Sequence, residues 1–538
     1  MKLQIKNRLG VALACVGLVM NTSCTDFEEI NKNPYFPDKD MEKMDGVLNS
    51  AYLPALEKHV IPTPLKTDNT DLTNAYQIGV NLAGDSWAGY MSPRDNKFNE
   101  AASFITFFFQ QGWVNLVYDY SITNIFAPWI QLKNINMSGD NPNKEIFALA
   151  QIAKIMGLHR STDTFGPIPY KNVGSGSFTV EYDSQEAVYR SFFEELDEAV
   201  NVLYDFYMKG NTTVPMASDI VYEGDVAKWI RLGNSLMLRL AIRVRYADAD
   251  LSQTYAEKAI SNPLGVIEEV ADLAKMEKGS NLQVKNPLYQ ISAKDQYNDT
   301  RMGATIQCYL KGYNDARVSA YFQNSGNAAV RAGLPVTQTT YDEASLPKVT
   351  EDTPVYWMKA SEIWFLRAEG ALFGYDMGGG SAQKYYEEGI RKSFEECGVD
   401  IGSYLNSTYQ PIAYSDPAGK YNASAPSSIT VKWNEADDTE RKLERIITQK
   451  YLAIYPDGQE AWSEWRRTGY PRQIPPVENM TNAGVKTSDG YKDGVRRMPY
   501  PRSEYERNNE NLQKAIQLYL GGIDNAATNV WWDKKVKE

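Results

Sequence analysis

Histidine and cysteine are scarce in this 538-residue chain, which has only His59, His159 and four cysteines. Ser–His–Asp triads and multi-histidine metal sites are therefore nearly excluded, because each requires histidine beside other functional groups. No CxxC pair occurs, which argues against a zinc site or thioredoxin-like redox chemistry. Cys308 and Cys397 lie in apolar, helix-like surroundings, and these favour buried free thiols over a disulfide between them.

The chain also lacks a basic surface and a long hydrophobic run. Its formal net charge is -12 and no long Lys/Arg run occurs, whereas phosphate binding needs a basic patch, so nucleic acid is not an expected partner. The apolar run 9–20 is too short to cross a bilayer, and no other stretch approaches the necessary length. The chain is therefore expected to be exported rather than transmembrane.

Residues 1–23 have the pattern of a secretory signal, with a positive start followed by the apolar run. Small and polar residues lead into Cys24, which predicts lipidation of that cysteine; Asn21 stands where leucine is usual. Cys15 is a rival position, and simple secretion with Cys24 free is the alternative. Residues 24–40 are proline-containing and without periodicity, so they predict a lipidated tether.

Apolar residues recur at three- and four-residue spacing along most of the chain, which predicts a mostly α fold. In the predicted helix 224–246, Trp229, Leu236 and Val244 share one face. Pro128 is expected to break or kink a long helix over 111–137. The other predicted helices are 44–59, 75–90, 148–158, 183–206, 302–310, 354–375, 381–397 and 511–520.

The clearest pattern lies in 440–471. An apolar helical stripe over 440–454 is followed by the turn Pro456-Asp457-Gly458 and by a second helix with Trp462 and Trp465 one turn apart. Two helices joined by so short a turn are expected to pack as an antiparallel hairpin. Their tryptophans, like Trp364, are predicted to be core residues.

Region 261–354 interrupts the helical pattern. It is rich in Asn, Gly, Ser, Thr and Pro, and its one clear helix is 302–310. Because loops on a rigid scaffold often carry function, this loop-rich insert is a candidate binding region. Elsewhere, the pair 361–397 places small residues such as Ala368 and Gly389 at contact positions, a pattern similar to a degenerate tetratricopeptide (TPR) repeat.

Five separated segments point to a known family. They are 24–40, the helix ending in DTFGPIPY, GDVAKWIRLGNSLMLRLAIRV, SEIWFLRAEGAL with YYEEGIRKSF, and ITQKYLAIYPDGQEAWSEWRRTGYP. Their order along the chain resembles that of SusD/RagB-type outer-membrane lipoproteins of Bacteroidetes-like bacteria, and the acidic residues after Cys24 resemble the surface-export signal of such lipoproteins. The resemblance implies one SusD-like, α-rich domain over 41–538, in which four degenerate TPR-like helix pairs carry irregular loops.

The resemblance also implies a function. A protein of this kind binds glycan at the cell exterior, anchored by lipid in the outer membrane, and passes it to a SusC-like TonB-dependent transporter. The ligand stays open between a neutral oligosaccharide, a host glycan and a sugar acid such as sialic acid, which would need a charged partner such as Arg94 or Arg301. No cofactor or catalytic residue is expected.

Composition also suggests where a glycan binds. Sugars present apolar CH faces and a rim of hydroxyls, so their sites combine aromatic rings with amide, carboxylate or guanidinium groups. Two segments have such residues, and Tyr341 is a weaker third choice. The predicted ligand-binding residues are Trp87, Tyr90, Arg94 and Asn96 in 84–96, and Tyr289, Tyr297 and Arg301 in 289–301.

Two other functions stay open at this point. A glycosidase needs only two carboxylates, and Glu362/Glu369 or Glu387/Glu388 have suitable spacing, but all four lie on amphipathic helices, where solvated faces explain them. A TPR-like adaptor that binds only proteins is the second alternative. No EF-hand spacing occurs and no metal ligands are assigned, but loop carboxylates leave room for a structural calcium ion.

Overall fold

The computed structural model describes residues 47–95, 104–177, 179–215, 218–277, 279, 282–335, 339–487 and 493–537. The predicted signal peptide and the tether with Cys24 lie outside the described residues, and so does Asn96. Residues 50–538 form one compact unit. A single large hydrophobic core extends through most of that unit, and the small cluster of Val330, Leu334, Tyr341 and Ala344 lies under loops.

The fold is mostly α, as predicted. The longer helices are Val47–Val60, Asn124–Asn136, Lys144–Phe165, Gln185–Met208, Val226–Val244, Ala249–Ser261, Ala360–Leu372, Ala382–Cys397, Thr439–Ala453, Gly458–Thr468 and Asn509–Tyr519. Consecutive helices pack side by side from 124 to 261 and again from 360 to 397. Ser381 caps its helix as expected, accepting a hydrogen bond from the backbone N–H of Lys384 at 3.2 Å. The TPR-like geometry of the pairs stays a prediction.

The helix does not break at Pro128, so that part of the prediction is wrong, and a kink there stays a prediction. Helix Asn124–Asn136 continues through Pro128, and the irregularity lies earlier, in the π-helical turn Asp119–Thr123 that follows helix Gln111–Tyr118. Proline lacks the N–H that would bond the carbonyl four residues back. The wider π turn just before that position takes up the change in hydrogen-bond register.

The packing of the predicted hairpin also differs from expectation. Both helices and the turn between them are present, but Thr439–Ala453 packs mainly on Ala360–Leu372, and Gly458–Thr468 packs mainly on the π-helix Gln77–Asp85. The two helices meet through side chains: Lys450 Nζ lies 3.0 Å from Glu460 Oε1. The turn therefore joins two layers of the scaffold rather than closing an isolated pair.

Ion pairs buried in the interior connect these layers. Arg239 donates to both carboxylate oxygens of Glu362, at 2.8 and 2.6 Å. Arg467 makes the same two-fold contact with Glu369, and its guanidinium also bonds Glu464. Burial raises the pKa of Glu464, but nearby cations, Arg467 above all, outweigh it and lower that pKa to about 2. These ion pairs thus join helices that are distant in sequence.

The loop-rich insert has more structure than predicted. Its expected helix is Ala304–Gly312, and the short helices Pro287–Ser292 and Val318–Tyr321 accompany it. Four two-stranded antiparallel ribbons also occur in the described residues. They pair β1 (Met91–Pro93) with β5 (Thr300–Met302), β2 (Ile168–Pro169) with β3 (Tyr182–Asp183), β4 (Ala274–Met276) with β8 (Val355–Met358), and β6 (Phe322–Gln323) with β7 (Leu346–Pro347).

The remaining described elements are short. Helix Asp71–Tyr76 leads into the π-helix, and helix Arg502–Arg507 precedes the predicted C-terminal helix. Cys308 and Cys397 are free thiols, as predicted, the first buried and the second half-buried. Burial raises the pKa of the Cys308 thiol to about 12, so it behaves as a small apolar side chain.

Candidate ligand-binding site

A cleft opens between helix Gly458–Thr468 and several loops of the chain. Its empty space is about 670 Å³, including the part open to solvent. Helix Gly458–Thr468 forms the floor, and six other segments of the chain form the walls. The lining segments are 86–91, 105–107, 303–305, 330–332, 473–476 and 493–495.

Three indoles lie at the floor of the cleft. Trp462 and Trp465 project from one helix, and Trp87 approaches them from the helical turn that follows the π-helix Gln77–Asp85, with its ring centroid 4.7 Å from that of Trp462. Trp87 Nε1 donates to the Phe104 carbonyl and Trp462 Nε1 to the Val495 carbonyl, both at 2.9 Å. The rings are therefore fixed in place before any ligand arrives.

Gly89 and Gly303 let two segments of the cleft wall approach closely beside ribbon β1–β5. The N–H of Gly303 donates to the carbonyl of Tyr90 at 2.8 Å, and a Cβ on Gly303 would lie 2.4 Å from the carbonyl oxygen of Gly89. Only glycine fits that approach. Ile474 is held against the same corner, because its N–H donates to Thr305 Oγ1 at 3.1 Å.

Phe107 in the cleft wall has a strained backbone. Its φ is +63°, in the left-handed region, although it is a bulky residue that is 5% exposed. That conformation costs on the order of 1–3 kcal/mol and persists where the surroundings impose it, which is common at ligand sites. The strain supports this cleft as the functional site.

The polar side chains that line the cleft are Ser86, Thr305, Arg331, Gln473, Thr487 and Asp493. The guanidinium of Arg331 donates to the carbonyls of Pro475 and Tyr421, which fixes it along one wall. Trp465 Nε1 and Gln473 Nε2 are buried and have no hydrogen-bond partner among the described residues. The cleft thus combines aromatic and aliphatic surface with a small number of oriented donors, the composition typical of small-ligand sites.

The structure places Trp87 in the cleft and Tyr90 in the core. Tyr90 is fully buried, its ring stacked on Tyr451 at 4.5 Å and its hydroxyl donating to the Tyr451 carbonyl. The exposed aromatic face that the sequence suggested for Tyr90 is absent, because the small residues around it let the chain turn inward. A ligand contact by Tyr90 therefore has no exposed surface on which to form.

The two predicted binding segments are neighbours. Ribbon β1–β5 pairs Ser92 with Arg301, so 84–96 and 289–301 form one region rather than two alternatives. The Arg94 guanidinium bonds the carboxylate of Asp342, and the buried Arg301 guanidinium donates to the Asp342 carbonyl at 3.1 Å. Burial, together with the nearby Arg94 charge, lowers the pKa of Arg301 to about 10, which leaves it charged at neutral pH.

The other predicted residues lie at the edge of this region. Tyr297 is half-buried, and its hydroxyl donates to Asn74 Oδ1 at 3.3 Å. Tyr289 is half-buried on helix Pro287–Ser292. Tyr341 is buried and donates to Asp416 Oδ1 at 2.6 Å. A ligand role for Tyr289 and Tyr297 stays a prediction.

The carboxylates considered for glycoside hydrolysis lie away from the cleft. Glu362 and Glu369 are 2% and 1% exposed and bond arginines in the buried ion-pair layer, so the expected solvated helix face is wrong for both. Glu387 and Glu388 do lie near the surface, and each forms an ion pair with Arg391 at 3.4 Å. All four carboxylates therefore have structural partners outside the cleft.

The described part of the chain has no group of three His, Cys, Asp or Glu side chains arranged to hold a metal ion. A calcium ion held by loop oxygens stays a prediction. Among the same residues, no helix has both the length and the apolar character needed to cross a bilayer.

Sequence reasoning missed the floor of the cleft. Trp462 and Trp465 were predicted as core residues, and they are 0% and 4% exposed, but the same rings also line the cleft. Gln473 and Ile474, in the coil after the second helix, were missed entirely. The helical stripe could not separate these roles, because a residue facing inward looks the same whether a core or a cleft lies beyond it.

Comparisons with known proteins agree with this architecture. A family model described as SusD-like, Susd and RagB outer membrane lipoprotein, matches residues 29–533. A chitin-binding SusD homolog from Flavobacterium johnsoniae is 34% identical, with a TM-score of 0.83 over 91% of this chain and 99% of that one. A SusD homolog from Bacteroides uniformis is 37% identical, with a TM-score of 0.81 over 91% of this chain and 99% of that one.

A SusD homolog from Bacteroides thetaiotaomicron is 34% identical and has a TM-score of 0.79, over 91% of this chain and 99% of that one. No curated protein matches the chain. Because the family model spans almost the whole chain and these structures superpose over nearly their full length, the chain belongs to the SusD-like family of outer membrane lipoproteins.

Proposed function

We propose that this protein is a cell-surface glycan-binding lipoprotein, which captures an oligosaccharide and passes it to a SusC-like TonB-dependent transporter. The observation behind the proposal is the loop-bounded cleft with Trp87, Trp462 and Trp465 at its floor. Membership of the SusD-like family supports it, and so does the likeness to a chitin-binding homolog. Indole surfaces suit the apolar CH faces of sugar rings, and Trp87, at 8% exposed, is the most accessible of the three.

The proposed ligand is a neutral oligosaccharide rather than a sugar acid. Sialic acid would need a cation for its carboxylate, but Arg301 already donates to carbonyl oxygens and Arg94 to the carboxylate of Asp342. In the cleft, Arg331 is held by backbone carbonyls. Binding of sialic acid would require one of these arginines to exchange its present partners, and that exchange costs free energy.

Capture without turnover is part of the proposal, and the positions of the candidate carboxylates support it. Retaining and inverting glycosidases both place two carboxyl groups across the scissile bond. The helix carboxylates proposed for that role are bound in ion pairs elsewhere. We therefore propose binding as the activity, with hydrolysis and a protein-only adaptor as the outcomes against which it is tested.

Anchoring is proposed to depend on Cys24. Its lipidation would hold the protein in the outer membrane facing the exterior, where the proposed transporter partner can receive the ligand. Cys24→Ser expressed in the native host should move the protein from the membrane to the soluble fraction. Retention of the Cys24→Ser protein in the outer membrane would contradict lipid anchoring at this position.

Calorimetric titration of the chain from Thr25 onward tests the proposed function. The panel comprises neutral oligosaccharides, including cello- and chito-oligosaccharides, and sialic acid, with product analysis of each mixture after the titration. Binding of a neutral oligosaccharide without any cleavage product is the expected result. Cleavage products would favour the glycosidase. No binding to any sugar of the panel, combined with a stable transporter complex, would favour the adaptor.

A further inference from the structure

A second cavity lies beside the turn that joins helices Thr439–Ala453 and Gly458–Thr468. It shares no lining residue with the ligand cleft, and its empty space is about 580 Å³, including the part open to solvent. Strand β8, the π-helix Gln77–Asp85 and helix Lys144–Phe165 each contribute to its wall. Glycan capture in the cleft leaves this cavity without a role.

Lys359 places a positive charge in the wall of this cavity without a carboxylate partner. The residue is 8% exposed, and its ammonium donates to the carbonyls of Ala453 and Tyr455, at 3.2 and 2.7 Å. Burial raises the pKa of Glu396 and the charge of Lys359 partly opposes the rise, yet Lys359 forms no ion pair with any described residue. A buried cation is costly unless an anion pairs with it.

A second cation binds the same turn. Arg160 is 8% exposed and uses a single nitrogen, Nη1, for both carboxylate oxygens of Asp457, each at 3.0 Å. The N–H groups on its Nε and Nη2 have no acceptor among the described residues. Because Lys359 donates to the Tyr455 carbonyl and Arg160 to the Asp457 carboxylate, two residues further along, the ammonium and the guanidinium both lie against one short segment.

The charged and amide acceptors in the wall are already in use. Both oxygens of the Glu362 carboxylate accept from Arg239, and the amide oxygen of Asn286 accepts a backbone N–H. A further donor is free, because the indole Nε1 of Trp357, which is 1% exposed, has no partner among the described residues. The groups that lack partners are therefore mainly donors, and they call for a negatively charged acceptor.

Two hydroxyls complete the polar part of the wall, those of Tyr76 and Tyr356. Burial raises the pKa of the Tyr76 hydroxyl, with Asp457 raising it further and Arg160 lowering it, so this hydroxyl lies near that ion pair. The ring of Tyr356 lies beside the Lys359 ammonium, with its centroid 5.1 Å from Nζ. A hydroxyl can donate as well as accept, so both are compatible with a bound anion.

The rest of the wall is largely aliphatic, and this limits the class of anion. The aliphatic side chains that line the cavity include Ile61, Val80, Leu288, Val355, Met358 and Ile454. An inorganic oxyanion would lose its hydration beside them and gain no apolar contact. A carboxylate with a short hydrocarbon body presents oxygens to the cations and apolar surface to the aliphatic side chains.

We propose that this cavity binds a small monocarboxylate, whose oxygens accept from the Lys359 ammonium and the Arg160 guanidinium and whose hydrocarbon body lies against the aliphatic wall. The site is independent of glycan capture, because the cavity and the cleft share no lining residue.

Butyrate and butyramide form a matched pair of probes, since they have nearly the same size and shape and only butyrate is charged. Titration calorimetry of the chain from Thr25 onward at neutral pH should give a dissociation constant for butyrate below about 1 mM. Butyramide should bind at least about tenfold more weakly, because it offers no charge to the two cations. Sulfate, which has no hydrocarbon body, should also bind at least about tenfold more weakly than butyrate.

Two variants assign the butyrate to the two cations. Lys359→Met removes the ammonium and keeps most of the side-chain length, and it should weaken butyrate binding at least about tenfold. Arg160→Lys keeps a cation beside Asp457 but removes the free N–H groups, and it should weaken butyrate binding at least about threefold. Butyramide affinity should stay the same in both. Lys209→Met, at an exposed lysine, is the control and should bind butyrate like the unmodified chain.

Each contrary result has its own meaning. Butyrate binding weaker than about 1 mM would overturn the site and leave water as the occupant of the cavity. Butyramide that binds as tightly as butyrate would contradict recognition by charge, and sulfate that does so would contradict the role of the aliphatic wall. Undiminished butyrate affinity in both folded variants would place the carboxylate elsewhere. Saturating butyrate should leave oligosaccharide affinity unchanged, and competition between the two would contradict separate sites.

Discussion

The indole rings of Trp87 and Trp462 lie with their centroids 4.7 Å apart and their planes inclined at 53°. This contact joins the end of the π-helix Gln77–Asp85 to the helix that forms the floor of the cleft. Trp87 also packs on Phe104, with ring centroids 6.0 Å apart. One residue therefore stabilises the core and shapes the ligand cleft, so the two roles must be separated experimentally.

Trp87→Ala is expected to lower the free energy of unfolding by about 3–5 kcal/mol, the usual cost of truncating a buried tryptophan. Trp87 is 8% exposed and its indole N–H bonds a backbone carbonyl, so both packing and a hydrogen bond are lost. Urea denaturation followed by circular dichroism measures the change. Tyr409→Ala, at a side chain that is 60% exposed, is the control and should change stability by less than about 0.5 kcal/mol. Equal denaturation midpoints for the two variants would contradict the core role of Trp87.

Arg467→Met should destabilise the fold more than Glu369→Gln does. Removing Arg467 leaves two buried carboxylates, Glu369 and Glu464, without their shared cation, and breaking a buried pair in this way costs about 3–5 kcal/mol. Glu369→Gln leaves Arg467 bonded to Glu464 and should cost less. Chemical denaturation of both variants gives the order directly, and the reverse order would contradict the shared-cation arrangement.

Asp85 should make the protein less stable as pH rises. Burial raises the pKa of Asp85 to about 8 in the folded state, with Asn81 and the Gly458 N–H as partners that partly oppose the rise. In the unfolded chain the pKa of an aspartate is about 4. The contribution of Asp85 to the free energy of unfolding is therefore complete below pH 4 and is lost as pH rises through 8. Between those limits the slope is about 1.4 kcal/mol per pH unit for this one group.

Denaturation midpoints at pH 5, 6, 7 and 8 test the effect of Asp85. Asp85→Asn removes the titrating group, so its stability should fall less steeply with pH than that of the unmodified chain. Asp140→Asn, at an exposed aspartate, is the control and should keep the original slope. Identical slopes for the Asp85 variant and the unmodified chain would show that this carboxyl does not titrate as described.

Gly458→Ala should disrupt the contact between the floor helix and the π-helix Gln77–Asp85. A Cβ at Gly458 would lie 2.3 Å from the Cα of Asp85, so backbone must move, and overpacking of this kind costs about 1–3 kcal/mol. Gly326→Ala is a matched control, because its Cβ would meet nothing within 4 Å. The control should be neutral or slightly stabilising. Thermal unfolding of the two variants distinguishes them, and equal melting temperatures would contradict the close approach.

Much of the scaffold could be predicted because apolar residues recur every three or four positions along its helices, on the faces that are buried. The stripe containing Trp229 and Leu236 in helix Val226–Val244 is fully buried, and Ser381 caps its helix through the expected N–H. Charged residues were harder to place. Glu369 has the spacing of a solvated face, and its burial depends on Arg467, which lies about a hundred residues further along the chain.

The site was less predictable for the same reason. Trp87 could be chosen from its neighbours in sequence, but the burial of Tyr90 depends on Tyr451, which no local pattern indicates. The pairing of Ser92 with Arg301 merged two alternatives into one region. Gln473 lies in coil without periodicity, and only the folded chain shows that its amide is buried in the cleft.

The most direct test of glycan capture in this cleft fills it without truncating the core. Ala332 is half-buried in the cleft wall, so Ala332→Phe should occupy the ligand space, and Ala436→Phe at an exposed alanine is its control. Calorimetric titration with the tightest-binding oligosaccharide should show at least about tenfold weaker binding for Ala332→Phe and unchanged binding for Ala436→Phe. Undiminished affinity in a folded Ala332→Phe variant would contradict the account, because the oligosaccharide would then bind elsewhere on the protein.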